Sequence, residues 1–221
     1  MSSPARLLLD GPASPARNMA VDEALLRHVQ APVLRIYGWR TACFSIGYFQ
    51  KISVVPSGEP FVRRYTGGGL VEHGRDLTYT LVLPADHSLT TAGTLPSYRS
   101  IHQSLAQALQ DCGVPCHLAT AQPKKDDPSC FLKPVPADVL NSDGLKLAGA
   151  AQRRTKQGCL HQGSILLPQG IPTSLQKTLP ERLQTCLQAE LQNSKISHEE
   201  EKTVSELESS RYLLKEWNFS R

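Results

Sequence analysis

The sequence predicts an α+β domain, a mixed and mostly antiparallel sheet flanked by helices. Short β-branched and apolar runs alternate with turn signals, and several are joined by connections too short to hold a crossover helix. Other stretches carry apolar residues at helical spacing, opened by capping residues and closed by glycine or proline. No repeat, low-complexity tract or linker divides the 221 residues. The chain therefore reads as one domain over residues 1–221, with a core over about 14–170, a helical C-terminal extension over 175–221 and no separate accessory domain. That length buries roughly 70% of the surface of the unfolded chain, so no disulfide or metal staple is needed.

In chain order, Ser14 caps a first helix with Pro15 at its first position. Val21, Ala24, Leu25 and His28 share its apolar face, Asn18, Asp22 and Glu23 lie off it, and Pro32 ends the segment. Residues 33–37 and 42–46 read as a strand pair joined by Gly38-Trp39-Arg40-Thr41, and residues 53–60 as turns. Phe61-Val62 and 77–83 read as strands on either side of a glycine-rich connection, and 84–96 as loop. Ser97 is expected to cap a helix that Gly113 stops. A short strand follows within 114–118, then an exposed polar loop over 121–128. Beyond a proline-broken stretch and the Asn141-Ser142-Asp143-Gly144 turn, residues 145–153 and 158–167 read as a hairpin. A helical stripe of Leu183, Cys186, Leu187 and Leu191 follows Pro180. A capping box at Ser197 opens a last helix with Val204, Leu207, Leu214 and Trp217 inward.

Composition narrows the function classes. Hydrophobic content of 40% and charged content of 20% are those of a soluble globular protein. A net charge of +4 suits an anionic substrate or acidic partner without demanding nucleic acid. No basic run with interleaved aromatics points to nucleic acid, and no apolar run approaches a membrane span. The N-terminus is too short in apolar residues for a signal peptide, so a cytoplasmic location is expected. The six cysteines, at 43, 112, 116, 130, 159 and 186, lack zinc-ligand pairing. No metal site is expected.

Three features carry chemistry. In Arg63-Arg64-Tyr65-Thr66-Gly67-Gly68-Gly69, glycines let backbone lie against a ligand, consecutive N–H groups can form an anion nest, and two guanidiniums add positive charge. Lys146 lies in a strand of small residues. Strict alternation puts it on one face with Ala148 and Ala150, as a solvated edge lysine or as a fixed ammonium holding an oxygen of a ligand. Cys130 belongs to no apolar pattern, and an ammonium nearby would make it a usable thiolate. His73 and His161, beside strands, read as satisfied structural groups or as bases.

Together these blocks resemble the lipoate–protein ligase A and octanoyltransferase superfamily. The resemblance is carried by Arg63-Arg64-x-Thr66-Gly67-Gly68-Gly69-x-Val71-x-His73, by Lys146-x-Ala148-Gly149-x-Ala151-Gln152-Arg153, by Leu160-His161-Gln162-Gly163-Ser164-Ile165-Leu166, and by the helix from Asn18 to Leu25. It implies a biotin/lipoyl protein ligase catalytic domain, related to class II synthetases. It also implies an acyl site to which Arg63, Arg64, Thr66, Gly67, Gly68, Gly69, His73, Ala148, Gly149, His161 and Gly163 contribute. Ser129-Cys130-Phe131, with the cysteine sixteen residues before Lys146, is similar to the cysteine-dependent octanoyltransferases. That subgroup implies Cys130 as nucleophile, Lys146 at the acyl carbonyl, and no cofactor. Its donor is an acyl carrier protein. Its acceptor is a lysine on a lipoyl domain of a 2-oxoacid dehydrogenase or on the glycine cleavage H protein. Gly69 looks more like the ligase arm, which implies ATP and Mg2+ and a lipoyl-adenylate. A non-catalytic subunit that binds lipoyl domains is the third alternative.

Overall fold

The computed structural model describes residues 4–120 and 135–221. Its elements are β1 (Ala5–Leu9), α1 (Pro15–Arg27), β2 (Val33–Tyr37), β3 (Cys43–Ile46), β4 (Phe61–Arg63), β5 (Val71–His73), β6 (Leu77–Pro84), α2 (Ser88–Thr91), α3 (Thr94–Asp111), β7 (His117–Leu118), β8 (Val139–Leu140), β9 (Lys146–Arg154), β10 (Gly158–Ile165), α4 (Leu175–Leu187), β11 (Leu191–Asn193), α5 (His198–Leu207) and α6 (Lys215–Asn218). Eight strands form one sheet in the order β11-β1-β2-β6-β10-β9-β8-β7, and a smaller sheet runs β4-β3-β5. Among the described residues, the strand pairs β1–β11, β1–β2 and β3–β4 are parallel and the others antiparallel. The expected α+β class with a mostly antiparallel sheet is therefore observed.

Alternation along the central strands explains the two-sided core. Leu34 and Ile36 of β2 and Leu77, Tyr79, Leu81 and Leu83 of β6 face the layer that contains α3 and α4. Val33, Tyr37 and Val82 face α1 and α5. Strands buried on both faces read as continuous apolar runs, as in Val33–Tyr37.

Several local expectations are corrected. Residues 33–37 and 43–46 do not form a hairpin: β2 is sandwiched between β1 and β6, and β3 leaves for the smaller sheet. β1, β5 and β11 lacked hairpin signals and went unseen. Leu191 is therefore a strand residue, set off from α4 by the left-handed Gln188 (φ 53°). α3 starts at Thr94, and Ser97 bonds back to the Gly93 carbonyl from inside the helix rather than capping it. Residues 88–91 of the expected loop form α2, capped by His87. α4 begins at Leu175 and runs through Pro180, because Leu175, Leu179 and Leu183 bury one stripe against the core. Leu214 is 40% exposed rather than inward.

The largest departure is in α1. Ser14 and Pro15 start it as expected, but Asn18, Asp22 and Glu23, expected off the packed face, are all buried. The Asp22 carboxylate takes four donors: Arg35 Nη1 (2.7 Å), Tyr37 Oη (2.9 Å), Thr80 Oγ1 (2.8 Å) and Gln162 Nε2 (2.7 Å). Arg35 is itself fully buried, with Asp10 on its Nε. Asp22→Ala would take the buried carboxylate from Arg35, which keeps only Asp10 and Asn18 among the described residues, and would leave the Tyr37, Thr80 and Gln162 donors unanswered. An expected loss of about 3–5 kcal/mol, measured by denaturant unfolding, follows from that arrangement, and a loss below about 1 kcal/mol would contradict it.

Candidate functional site

β4 and β5 lie on opposite sides of β3, so residues 64–70 arch over the end of β3 rather than forming a hairpin turn. The arch rests on Gly47, where an added Cβ would sit 2.0 Å from the Gly68 carbonyl oxygen. Arg64 is the post inside it. Its Nη2 donates to the carbonyls of Gly67 (3.0 Å) and Gly69 (2.7 Å), and its Nη1 to Ser45 O and Oγ. Burial brings the Arg64 pKa down to about 10, which leaves it charged at neutral pH. Arg63 is fully buried and donates to the carbonyls of Gly47, Tyr48, Gln50, Trp217 and Asn218. Both guanidiniums were expected to meet a ligand anion. Instead they cross-link backbone, because a loop short of side chains must satisfy its carbonyls internally.

The arch leaves other groups free. No acceptor among the described residues takes the N–H groups of Gly67, Gly68 or Gly69. Gly68, at φ +86°, lies over β9, and a Cβ there would come 3.1 Å from Ala151 Cβ. Thr66 is seated by its hydroxyl, which donates to Gln162 Oε1 (2.7 Å), while the other end of that amide is committed to Asp22. The glycine arch thus packs over β9, whose Gly149, Ala150 and Ala151 are half-buried.

Lys146 stands at the start of β9. Strict alternation is broken there by a β-bulge, with Leu140 opposite Lys146 but Val139 opposite Ala148. Leu147 and Ala148 both enter the core, so Ala148 does not share the exposed side of Lys146. The lysine side chain instead lies along Gly149, where an added Cβ would come 2.2 Å from its Cε and 2.4 Å from its Nζ. The Lys146 ammonium is 2.8 Å from Asp138 Oδ2, a carboxylate with no exposure. Tyr98 Oη donates to Asp138 Oδ1 (2.6 Å) and accepts from the Ala150 amide (2.9 Å), while Val135 N donates to Asp138 Oδ2. The ammonium is thereby aimed by a buried anion and still one-third exposed.

The histidines fall into packed positions. His73 stacks on Trp39 at 3.9 Å, with Nδ1 on Asp76 and Nε2 on Ser45 Oγ. Burial lowers its pKa against the pull of Asp76. His161 is fully buried in a chain in which every donor can donate. His102 Nδ1–H gives to the Ala137 carbonyl, Tyr79 Oη gives to His102 Nε2, His161 Nε2–H gives to Tyr79 Oη, and Gln152 gives to His161 Nδ1. Burial pushes His102 down to about 4 and His161 well below its usual value, so both stay neutral. Gly163 is the seat of the Tyr79 ring, 2.3 Å from where a Cβ would be. His73, His161 and Gly163 thus each pack against neighbouring side chains. Cys130 lies outside the described residues.

Sequence reading missed Asp138, Tyr98, Gln162 and Asp22. A carboxylate beside the apolar pair Val139-Leu140, eight residues before Lys146, was the available signal for the first. Among the described residues no cluster of His, Cys, Asp and Glu could hold a metal, and no helix is long and apolar enough to cross a membrane.

The profile described as the lipoyl protein ligase A/B catalytic domain matches residues 14–210. The Bacillus subtilis protein named octanoyltransferase LipM is 38% identical over 181 residues, which cover 73% of this chain and 65% of that protein. The chain thus spans just under two thirds of that relative. The octanoyltransferase LipM of Kyrpidia tusciae is 31% identical over 272 aligned positions, covering 98% of each chain. The same fold occurs in a Thermoplasma acidophilum protein solved with bound lipoic acid, with a TM-score of 0.81, 23% identity and coverage of 99% and 100%. A lipoate-protein ligase A bound with ATP shares it too, with a TM-score of 0.80, 24% identity and coverage of 98% and 99%. The chain belongs to the lipoyl protein ligase A/B catalytic domain family.

Proposed function

We propose that this protein is an acyltransferase that moves an octanoyl or lipoyl group from an acyl carrier protein thioester to a lysine of a lipoyl domain or of the glycine cleavage H protein. The observation that carries the reading is the Lys146 ammonium, held at 2.8 Å by buried Asp138 beside the bare edge of Gly149. Relatives named octanoyltransferase support the chemistry. In the first half-reaction the Cys130 thiolate attacks the donor carbonyl, a C–S bond forms, and the carrier thiolate leaves and takes a proton. In the second, the neutral amine of the acceptor lysine attacks the Cys130 thioester. The C–N bond forms, the C–S bond breaks, and the amine proton passes to the departing thiolate. Lys146 stabilises the oxyanion of both tetrahedral intermediates. Thioester to amide is downhill, so no cofactor is called for, and donor and acceptor both suit a cytoplasmic location. The ligase reading, with ATP and Mg2+, loses its expected phosphate clamp, since Arg63 and Arg64 are spent on carbonyls.

Intact mass of the protein and an apo lipoyl domain, mixed with octanoyl carrier protein without ATP, tests this. Acylation that disappears in Cys130→Ser supports the reading. Acylation that instead needs free lipoate and ATP and ignores the substitution establishes the ligase, and none under either condition leaves a binding subunit.

Gly149 offers a second check. Alanine there collides with the flexible end of Lys146 rather than with backbone, so the fold is expected to survive, with an unfolding midpoint lowered by the disturbed Lys146–Asp138 pair. Displacing the ammonium is expected to cut turnover about 10–100-fold. An alanine variant with wild-type turnover would remove Lys146 from the reacting centre.

A further inference from the structure

Beside the glycine arch, arginines and aromatic rings interleave into a ladder. The Arg211 guanidinium lies 4.7 Å from the Trp217 ring and 5.6 Å from Tyr65. Arg153 sits between Tyr65 (3.7 Å) and Tyr48 (4.9 Å), and Arg221 between Tyr48 (4.4 Å) and Phe49 (5.1 Å). Glu23 answers Arg211. Among the described residues no carboxylate forms an ion pair with Arg153, with Arg221 or with exposed Lys51. Phe49 is 73% exposed. Exposed Val54, Leu213, Leu214 and Phe219 lie on the same two segments, 48–54 and 211–221, which touch through Tyr48–Trp217 and the Ile52 amide on the Arg221 carbonyl. Half of the large exposed apolar side chains of the described residues thus lie on these two touching segments. Such a concentration marks a contact surface, and arginine and aromatic residues dominate the energetics of such surfaces.

We propose that this edge docks the acyl-donor carrier protein, through acidic side chains and the phosphate that links its arm. The inference rests on the acyl-transfer reading above and names where its donor binds. Two observations choose the donor. The first is charge: a donor arm joined through a phosphodiester is anionic and suits an uncompensated cationic edge, whereas an acceptor lysine would be repelled by it. The second is position. β9 connects the ladder to the ammonium, from Arg153 to Lys146, a run of seven residues or on the order of 20 Å. Between them lie the small Gly149, Ala150 and Ala151, with Gly68 above Ala151. A slender arm anchored at Arg153 and led past the rim of the glycine arch, which packs on Ala151, carries its thioester to Lys146.

The test compares two donors, octanoyl carrier protein and octanoyl-pantetheine, which lacks both the protein and the phosphate. Acylation of the enzyme is read by intact mass, and transfer to an apo lipoyl domain is read separately. Arg153→Glu and Phe49→Ala are expected to raise KM for the carrier-bound donor on the order of tenfold. Both should leave acylation by octanoyl-pantetheine and KM for the acceptor domain unchanged, and Phe49→Ala the thermal midpoint as well, whereas Arg153→Glu also gives up the bond from Arg153 Nη1 to the Tyr65 carbonyl. Phe49→Ala, at a mostly exposed position, guards against a folding defect in the charge reversal. An unchanged carrier KM overturns the proposal, as does a rise in acceptor KM instead or an equal slowing with octanoyl-pantetheine. A wild-type enzyme acylated by neither donor removes the acyl-transfer reading and this proposal with it. A wild type acylated by both, with insensitive variants, removes this proposal alone.

Discussion

Cys130→Ser is expected to reduce octanoyl transfer at least about 10³-fold, the scale on which loss of a catalytic nucleophile acts. At neutral pH a thiol near an ammonium ionises to a useful fraction, whereas a serine hydroxyl needs a dedicated base to react. The candidate bases expected from the sequence do not supply one, since His73 has both ring nitrogens engaged and His161 is fully buried and neutral. Nor are four of the other cysteines ready substitutes. Burial pushes the Cys43 thiol up to about 12, with Asp76 adding to the effect, and burial also raises Cys116, Cys159 and Cys186. The measurement is the single-turnover rate of octanoyl transfer to an apo lipoyl domain, followed by intact mass. The variant should show neither the acyl-enzyme adduct nor the modified acceptor. An acyl adduct that persists in Cys130→Ser would move the nucleophile elsewhere in the chain.

What the residues disclosed follows from how local each signal is. The Ser14-Pro15 helix start, the Ser197 capping box, the Gly113 stop and the β9–β10 hairpin depend on neighbours a few residues apart, and each is present. β1 and β11 form by parallel pairing between segments about 185 residues apart, and nothing within five residues of either announces a partner. The glycine arch was legible as a special backbone, because three glycines have few other uses. Its arginines were misread because charge alone does not tell a ligand from an orphaned carbonyl. The same limit applied to Asn18, Asp22 and Glu23. On a helix read by periodicity, polar residues off the apolar stripe are assigned to solvent, yet here they meet Arg35, Gln162 and Arg211 from other elements. Alternation placed Lys146 with Ala148 and Ala150. A single bulge, invisible in the pattern, moved it onto Gly149.

Lys146→Met separates an electrostatic role from a structural one. Methionine keeps most of the volume and removes the charge, so loss of oxyanion stabilisation should lower turnover about 10²–10³-fold. Among the described residues the same substitution leaves Asp138, a fully buried carboxylate, with the Tyr98 hydroxyl and the Val135 amide. Some loss of stability is therefore expected as well, and a low rate alone would not discriminate. The double variant Lys146→Met/Asp138→Asn does, because it removes both members of the pair and with them the uncompensated buried charge. Its unfolding free energy should recover towards wild type, as a buried neutral amide can still accept from Tyr98. Its turnover should stay as low as that of Lys146→Met. Recovery of both quantities together would mean that the lysine serves only to neutralise Asp138. Recovery of stability without turnover would place the ammonium on the reacting carbonyl, with Asp138 acting through it as a positioning residue.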